Sequence, residues 1–324
     1  MAAVSNTEHA DEVSVSFEAM ACDGEIRLAG LAPQSARRLA ESAVAEVRRI
    51  EAKYSRFRAD SIVSAINAAA GSGRAVAVDA ETAGLLDFAD GLHAISGGCF
   101  DITSGVLQSG WDFRRGRIPS RDELESLLGR VGWEHTRLRS DAEPVTVELL
   151  RPGMSIDFGG FGKEYAADRA ASVLQRGGAV HGWVNLGGDI RLIGPRPDGS
   201  PWRMAIRHPR QEDRMLASIA MSRGALATSG DYERSFIGSD GQRHCHVLDP
   251  RDGCPVRHWQ SVSVVASNCS AAGALTTIAM LLREHAIDFL DAQGVRWLAV
   301  DAEGRIHRSA AAAEDGWLKI APGA

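Results

Sequence analysis

From Met215 to Arg308 the chain reads strand, strand, strand, helix, strand, and the one-for-one alternation of strand and helix that a parallel doubly wound sheet requires is missing throughout. Strands that follow one another directly pair with their chain neighbours, and therefore antiparallel. The same pattern opens the chain. VSVSFEAMACDGEIRLAG alternates as a hairpin, with Asp23-Gly24 as the expected turn. VHGWVNLGGDIRLIG gives two strands about Gly187-Gly188. Helices are few and long. Ala36, Leu39, Ala43, Val47, Ile50 and Tyr54 recur at three- and four-residue steps behind Pro33, and Leu85, Ala89 and Leu92 mark a second helix over 80–95. A short helix is expected around Leu124 to Leu128, and another carries Ala166, Ala170, Val173 and Leu174 to a cap at Gly177. The expectation is an α+β fold with largely antiparallel sheets. Residues 1–14 are polar and expected to be flexible, with 15–324 forming a single domain.

Composition narrows the function classes. A chain of 324 residues, 44% hydrophobic and 24% charged, has the makeup of a soluble globular protein. A formal net charge of −6 argues against binding nucleic acid through its phosphate backbone. Five cysteines, odd in number and without a C-x-x-C pair, argue against a disulfide framework or a zinc site. No export signal and no membrane-spanning run is visible, so the expected location is the cytoplasm.

Four stretches carry candidate chemistry. In SIDFGGFGKEYAAD, an acid at Asp157 and glycines 159, 160 and 162 lead into Lys163 and a helix. A helix amino terminus with a lysine suits a phosphate. The triphosphatase loop pattern fails, because Glu164 stands where a magnesium-binding hydroxyl belongs, and a tight strand-to-helix connection explains the glycines equally well. RHCHVLDPRDG sets His244 and His246 two apart on a strand, hence on one face, and two ligands do not make a metal site. SGGCFDITSG and TSGDYER fit either ligand contacts or turn caps.

Taken in order, these stretches resemble the ApbE family, the FAD:protein FMN transferases, from Met20 to about Leu282. The resemblance rests on Met20-Ala21-Cys22; on Phe57, Asp60, Ser61 and Asn67; on Gly97, Gly98, Phe100, Asp101 and Thr103; and on Lys163, Tyr165, Ala166 and Asp168. It continues through Asn185, Gly187, Gly188 and Asp189, then Thr228 to Arg234 and His246 to Pro255. It implies a duplicated, T-fold-like α+β arrangement. It also implies transfer of FMN from FAD to a Ser or Thr of a target flavoprotein, with AMP released. Met20 and Phe57 would border the flavin; Cys99, Phe100, Asp101 and Leu248 would add contacts; Asp157 and Lys163 would meet FAD at the glycine turn. His246 is the candidate general base.

The resemblance further implies Mg²⁺ held by the carbonyl of Gly160 and by Thr277, together with an Asp four residues before that Thr. Here the position is Gly273. Loss of that carboxylate is expected to weaken Mg²⁺ binding, unless Asp157 or Glu164 reaches the ion, and Gly273→Asp is expected to restore it. Two alternatives stand beside transfer, the first raised by that glycine and the second by the resemblance, since some ApbE proteins let water attack. One is a non-catalytic FAD-binding protein; the other is an Mg²⁺-dependent FAD hydrolase yielding FMN and AMP.

Overall fold

A computed structural model describes residues 5–9, 12–141, 143–239, 241–313 and 317–322. Nine strands build one sheet whose spatial order is the chain order: β1 (Ser5–His9), β2 (Glu12–Ala19), β3 (Cys22–Ala29), β4 (Gly182–Leu186), β5 (Asp189–Gly194), β6 (Ala225–Gly230), β7 (Trp259–Ala266), β8 (Arg296–Asp301) and β9 (Ile306–Arg308). Every neighbouring pair is antiparallel. The α+β, antiparallel reading holds.

Between β3 and β4 the chain leaves the sheet to form α1 (Pro33–Tyr54), α2 (Ile62–Ala68), α3 (Ala80–Ile95), α4 (Arg121–Leu128) and α5 (Gly162–Arg176); α6 (Cys269–Leu282) joins β7 to β8. Proline at its first position starts α1, and Ala36, Ala40, Ala43, Val47 and Ile50 line its buried face. These small residues let α1 lie close against α5, whose Ala166, Ala167, Ala170 and Ala171 are buried too. Both helices share one core with the inward side chains of β2 and β3, among them Val13, Val15, Phe17, Ile26 and Leu28. A separate three-stranded sheet, Trp202–His208, Gln211–Met221 and Leu318–Ile320, covers Trp183, Ile190 and Leu192 in a second core. α6 packs its Ala272, Leu275 and Ala279 with Val262 and Val264 of β7.

Four sequence readings change. The hairpin turn is Met20-Ala21, both with positive φ, while Asp23 and Gly24 pair inside β3. Gly24 has a different reason: a Cβ there would lie 2.5 Å from the ring of Phe17, which rests on it. The expected loose amino terminus instead contributes Ser5–His9 as an edge strand on β2, where polar residues are usual; residues 1–4 and 10–11 lie outside the described set. In α5, Val173 is only partly buried, whereas Gly177 caps the helix as expected and the positive φ falls one residue on, at Gly178. The strand read through His246 stops at Cys245.

Candidate functional site

The glycine turn is held from several directions. Asn67 of α2 takes the place of a strand partner for Ile156: the Ile156 N–H donates to Oδ1 at 2.8 Å and Nδ2 donates to the Ile156 carbonyl at 3.1 Å. The Asp157 N–H then donates to the Ile102 carbonyl at 2.8 Å. One carboxylate oxygen of Asp157 accepts from the Gly159 N–H at 2.9 Å, and the other lies 2.8 Å from Nε of Arg56. Gly160 is a close approach, since a Cβ there would sit 2.8 Å from the Phe100 ring. Among the described residues no side chain caps the amino terminus of α5; the Gly162 N–H is taken by the Phe158 carbonyl at 2.6 Å, which leaves the N–H groups of Lys163 and Glu164 open to an anion.

Lys163 extends from that turn to the β4–β5 hairpin. Its ammonium is in ion-pair contact with Asp189, which is 2% exposed and also accepts from the Thr228 N–H at 3.0 Å. Arg234 points a guanidinium nitrogen to within 3.5 Å of the Ala21 carbonyl, so the same region meets the strained β2–β3 turn. The His246 backbone N–H donates to the Arg234 carbonyl at 3.0 Å, and its ring Nδ1 is buried without a partner among the described residues. Burial, then the positive charges of Arg234 and Lys163, push the His246 imidazole down to about 4. It is neutral near pH 7. Burial raises the Cys22 thiol; Lys163 and Arg234 pull it back while Asp23 and Glu164 add to the rise, so charges of both signs surround it. A cavity of about 400 Å³ beside it is lined by Glu18, Asp23 and Glu51 among others, and those acids make it a poor home for phosphates.

The remaining predicted residues fall into two groups. Phe57 is 83% exposed, with the Arg56 guanidinium 4.3 Å from its ring centroid, and Met20 sits in the turn with its N–H donating to Glu51 at 2.7 Å. Cys99, Phe100, Asp101 and Leu248 are buried. The Asp101 carboxylate is spent internally, accepting from the Thr103 N–H at 2.7 Å, the Thr103 hydroxyl at 2.6 Å and the Trp133 N–H at 2.9 Å. Leu248 belongs to a small apolar cluster with Leu107 and Trp111. The two histidines part company: His244 packs between Phe236 and Trp111, centroids 5.1 and 5.6 Å away.

A model of the ApbE family matches residues 13–299. The chain belongs to the ApbE family. Among its relatives, the FAD:protein FMN transferase of Vibrio cholerae is 32% identical over 239 residues, 72% of this chain and 70% of that protein. The FAD:protein FMN transferase of Haemophilus influenzae is 29% identical over 242 residues, 72% and 70% of the two chains. Among solved structures, the ApbE protein of Thermotoga maritima superposes with a TM-score of 0.84 at 30% identity, covering 96% of this chain and 98% of that one. The flavin transferase ApbE of Vibrio cholerae gives 0.81 at 27% identity, covering 93% and 97%.

On this ApbE frame, α6 reaches the turn because Asp168 of α5 caps it. The carboxylate accepts from the N–H groups of Cys269 and Ser270, each at 2.8 Å, and from the Ser270 hydroxyl at 2.7 Å. A Cβ on Gly160 would come 3.9 Å from the Thr277 methyl, so the two expected metal-holding positions are neighbours. Ser229 lies beside them, its hydroxyl 2.8 Å from that of Thr276 and 3.5 Å from that of Thr277. Among the described residues no three His, Cys, Asp or Glu side chains are grouped to hold a metal. A mixed set of carbonyl, hydroxyl and carboxylate oxygens is what remains, and that set suits Mg²⁺. Sequence reading missed Arg56 and Arg234 as charged neighbours of the site; Arg234 ends TSGDYER, and that position was the available signal.

Proposed function

We propose that the chain is an FAD:protein FMN transferase, which moves FMN from FAD onto a protein hydroxyl and releases AMP. The observation that carries this reading is convergence. Lys163 and the uncapped start of α5 meet the Asp189 hairpin, Arg234 and a neutral His246 at one place, from segments far apart in sequence. The names of the relatives, together with the extent of the match, supply the reaction.

In this reading the diphosphate of FAD lies at the glycine turn, against the open N–H groups of α5 and the Lys163 ammonium. Phe57 and Met20 border the flavin, because Phe57 offers an aromatic surface to solvent with Arg56 beside it. Asp157 positions Arg56 and the turn. Cys99, Phe100, Asp101 and Leu248, being buried, contact FAD through backbone atoms. The acceptor Ser or Thr hydroxyl attacks the phosphorus on the FMN side, and its proton passes to His246. The bond to the bridging oxygen breaks, and that oxygen leaves with AMP. Mg²⁺, when bound near Gly160 and Thr277, neutralises charge on the diphosphate oxygens. The unpartnered Oε2 of Glu164 and the hydroxyls of Ser229 and Thr277 next to α6 fit such an ion.

The experiment is to incubate the protein with FAD and Mg²⁺, with and without a flavoprotein acceptor, and to measure AMP. Release that depends on the acceptor supports transfer. Release without it means hydrolysis, and bound FAD with no AMP in either case means a binding protein.

A further inference from the structure

Glu164 stands in the first turn of α5, and only 7% of it is exposed. Its Oε1 lies 3.4 Å from Nζ of Lys163, a long contact, since that ammonium is engaged with Asp189. Its Oε2 is buried with no hydrogen-bond partner among the described residues. A carboxylate oxygen in that condition is costly unless a cation or a donor completes it. The positive end of α5 favours the charge but does not fill the missing contact.

Across from it is Gly273 of α6. A Cβ at that position would fall 2.4 Å from Cγ of Glu164, 2.7 Å from Cδ and 2.7 Å from Oε1. The carboxyl group of Glu164 thus fills the space into which a side chain at 273 would project. Gly273 and Thr277 are four apart on one helix, hence on one face. A carboxylate delivered there from α5 stands one turn from the Thr277 hydroxyl, next to the Gly160 turn.

We propose that Glu164 is the carboxylate ligand of the Mg²⁺ used with FAD, entering from α5 the place that an acid at 273 would enter from α6. This rests on the transferase reading above. Gly273 is then the vacancy that Glu164 requires rather than a ligand lost. On this proposal Gly273→Asp alone does not tighten Mg²⁺, because the new side chain and Glu164 compete for one volume, both negatively charged. Moving the acid back takes two changes together, Glu164→Gly with Gly273→Asp.

The test uses the full chain with FAD and no acceptor, and reads Mn²⁺ binding from the loss of the free-ion electron paramagnetic resonance signal. Glu164→Gln is expected to weaken Mn²⁺ by at least about tenfold, with metal-free FAD affinity kept within about twofold. The double variant is expected to recover most of that loss, and Gly273→Asp alone is not expected to gain. A folded Glu164→Gln that binds Mn²⁺ as tightly as the wild type overturns the proposal, as does a folded double variant no better than Glu164→Gln. Wild-type protein that binds FAD but no Mn²⁺ overturns it together with the metal and leaves the flavin reading standing. Failure to bind FAD removes the function itself.

Discussion

Met20 and Ala21 hold φ of 54° and 56° with side chains attached, a backbone state that costs a non-glycine residue about 1–2 kcal/mol. The Met20 N–H bond to Glu51 and the contact of Arg234 with the Ala21 carbonyl hold the turn there. Ala21→Gly should therefore stabilise the fold by about 1 kcal/mol in a urea titration. An unchanged or lower midpoint would show that the turn is not strained. His246 invites a sharper prediction. Its folded pKa lies near 4, below the ordinary imidazole value, so it stays available as a base through mildly acidic pH. The acid limb of kcat/KM should fall nearer pH 4 than 6.5. The limb of kcat should lie higher, because a bound diphosphate offsets the charges of Arg234 and Lys163 that push the pKa down. His246→Ala should lower kcat by about 10²–10⁴ with FAD affinity kept. A variant that transfers FMN at the wild-type rate removes the base from the scheme.

At the level of elements, the site depends on how α6 is hung from α5. Asp168 satisfies two N–H groups and one hydroxyl at the start of α6 and also pairs with Arg191 at 3.2 Å. Asp168→Ala should cost about 1–2 kcal/mol in urea unfolding and weaken Mn²⁺ binding at Thr277, far from the substitution itself. Loss of stability with metal affinity intact would confine Asp168 to structure. Such helices were legible because periodicity is a local signal: Leu85, Ala89 and Leu92 are buried in α3 as their spacing indicates. The first hairpin was not. Asp-Gly is a strong turn signal, but Gly24 answers to the ring of Phe17 across the strand pair, and that demand comes from tertiary packing. Gly273 is the same lesson on a helix, since its reason is a side chain from another element.

Across the whole molecule, a sheet in chain order brings residues from both ends of the chain to one place. β2 and β3 supply the Met20 turn, the excursion between β3 and β4 supplies the glycine turn, and β5 to β7 frame Asp189, Arg234 and His246. The motifs were legible singly and the family through their order, whereas the pairing of Lys163 with Asp189 and of Glu164 with Gly273 depends on packing that no local pattern encodes. The central claim is that the diphosphate of FAD binds where α5 begins. The most direct measurement is a calorimetric titration of wild type and Lys163→Met with FAD and, in parallel, with riboflavin, which has no phosphate. If the claim is right, the substitution weakens FAD by at least about tenfold and leaves riboflavin unchanged. If Lys163→Met holds FAD as tightly as the wild type does, the diphosphate lies elsewhere.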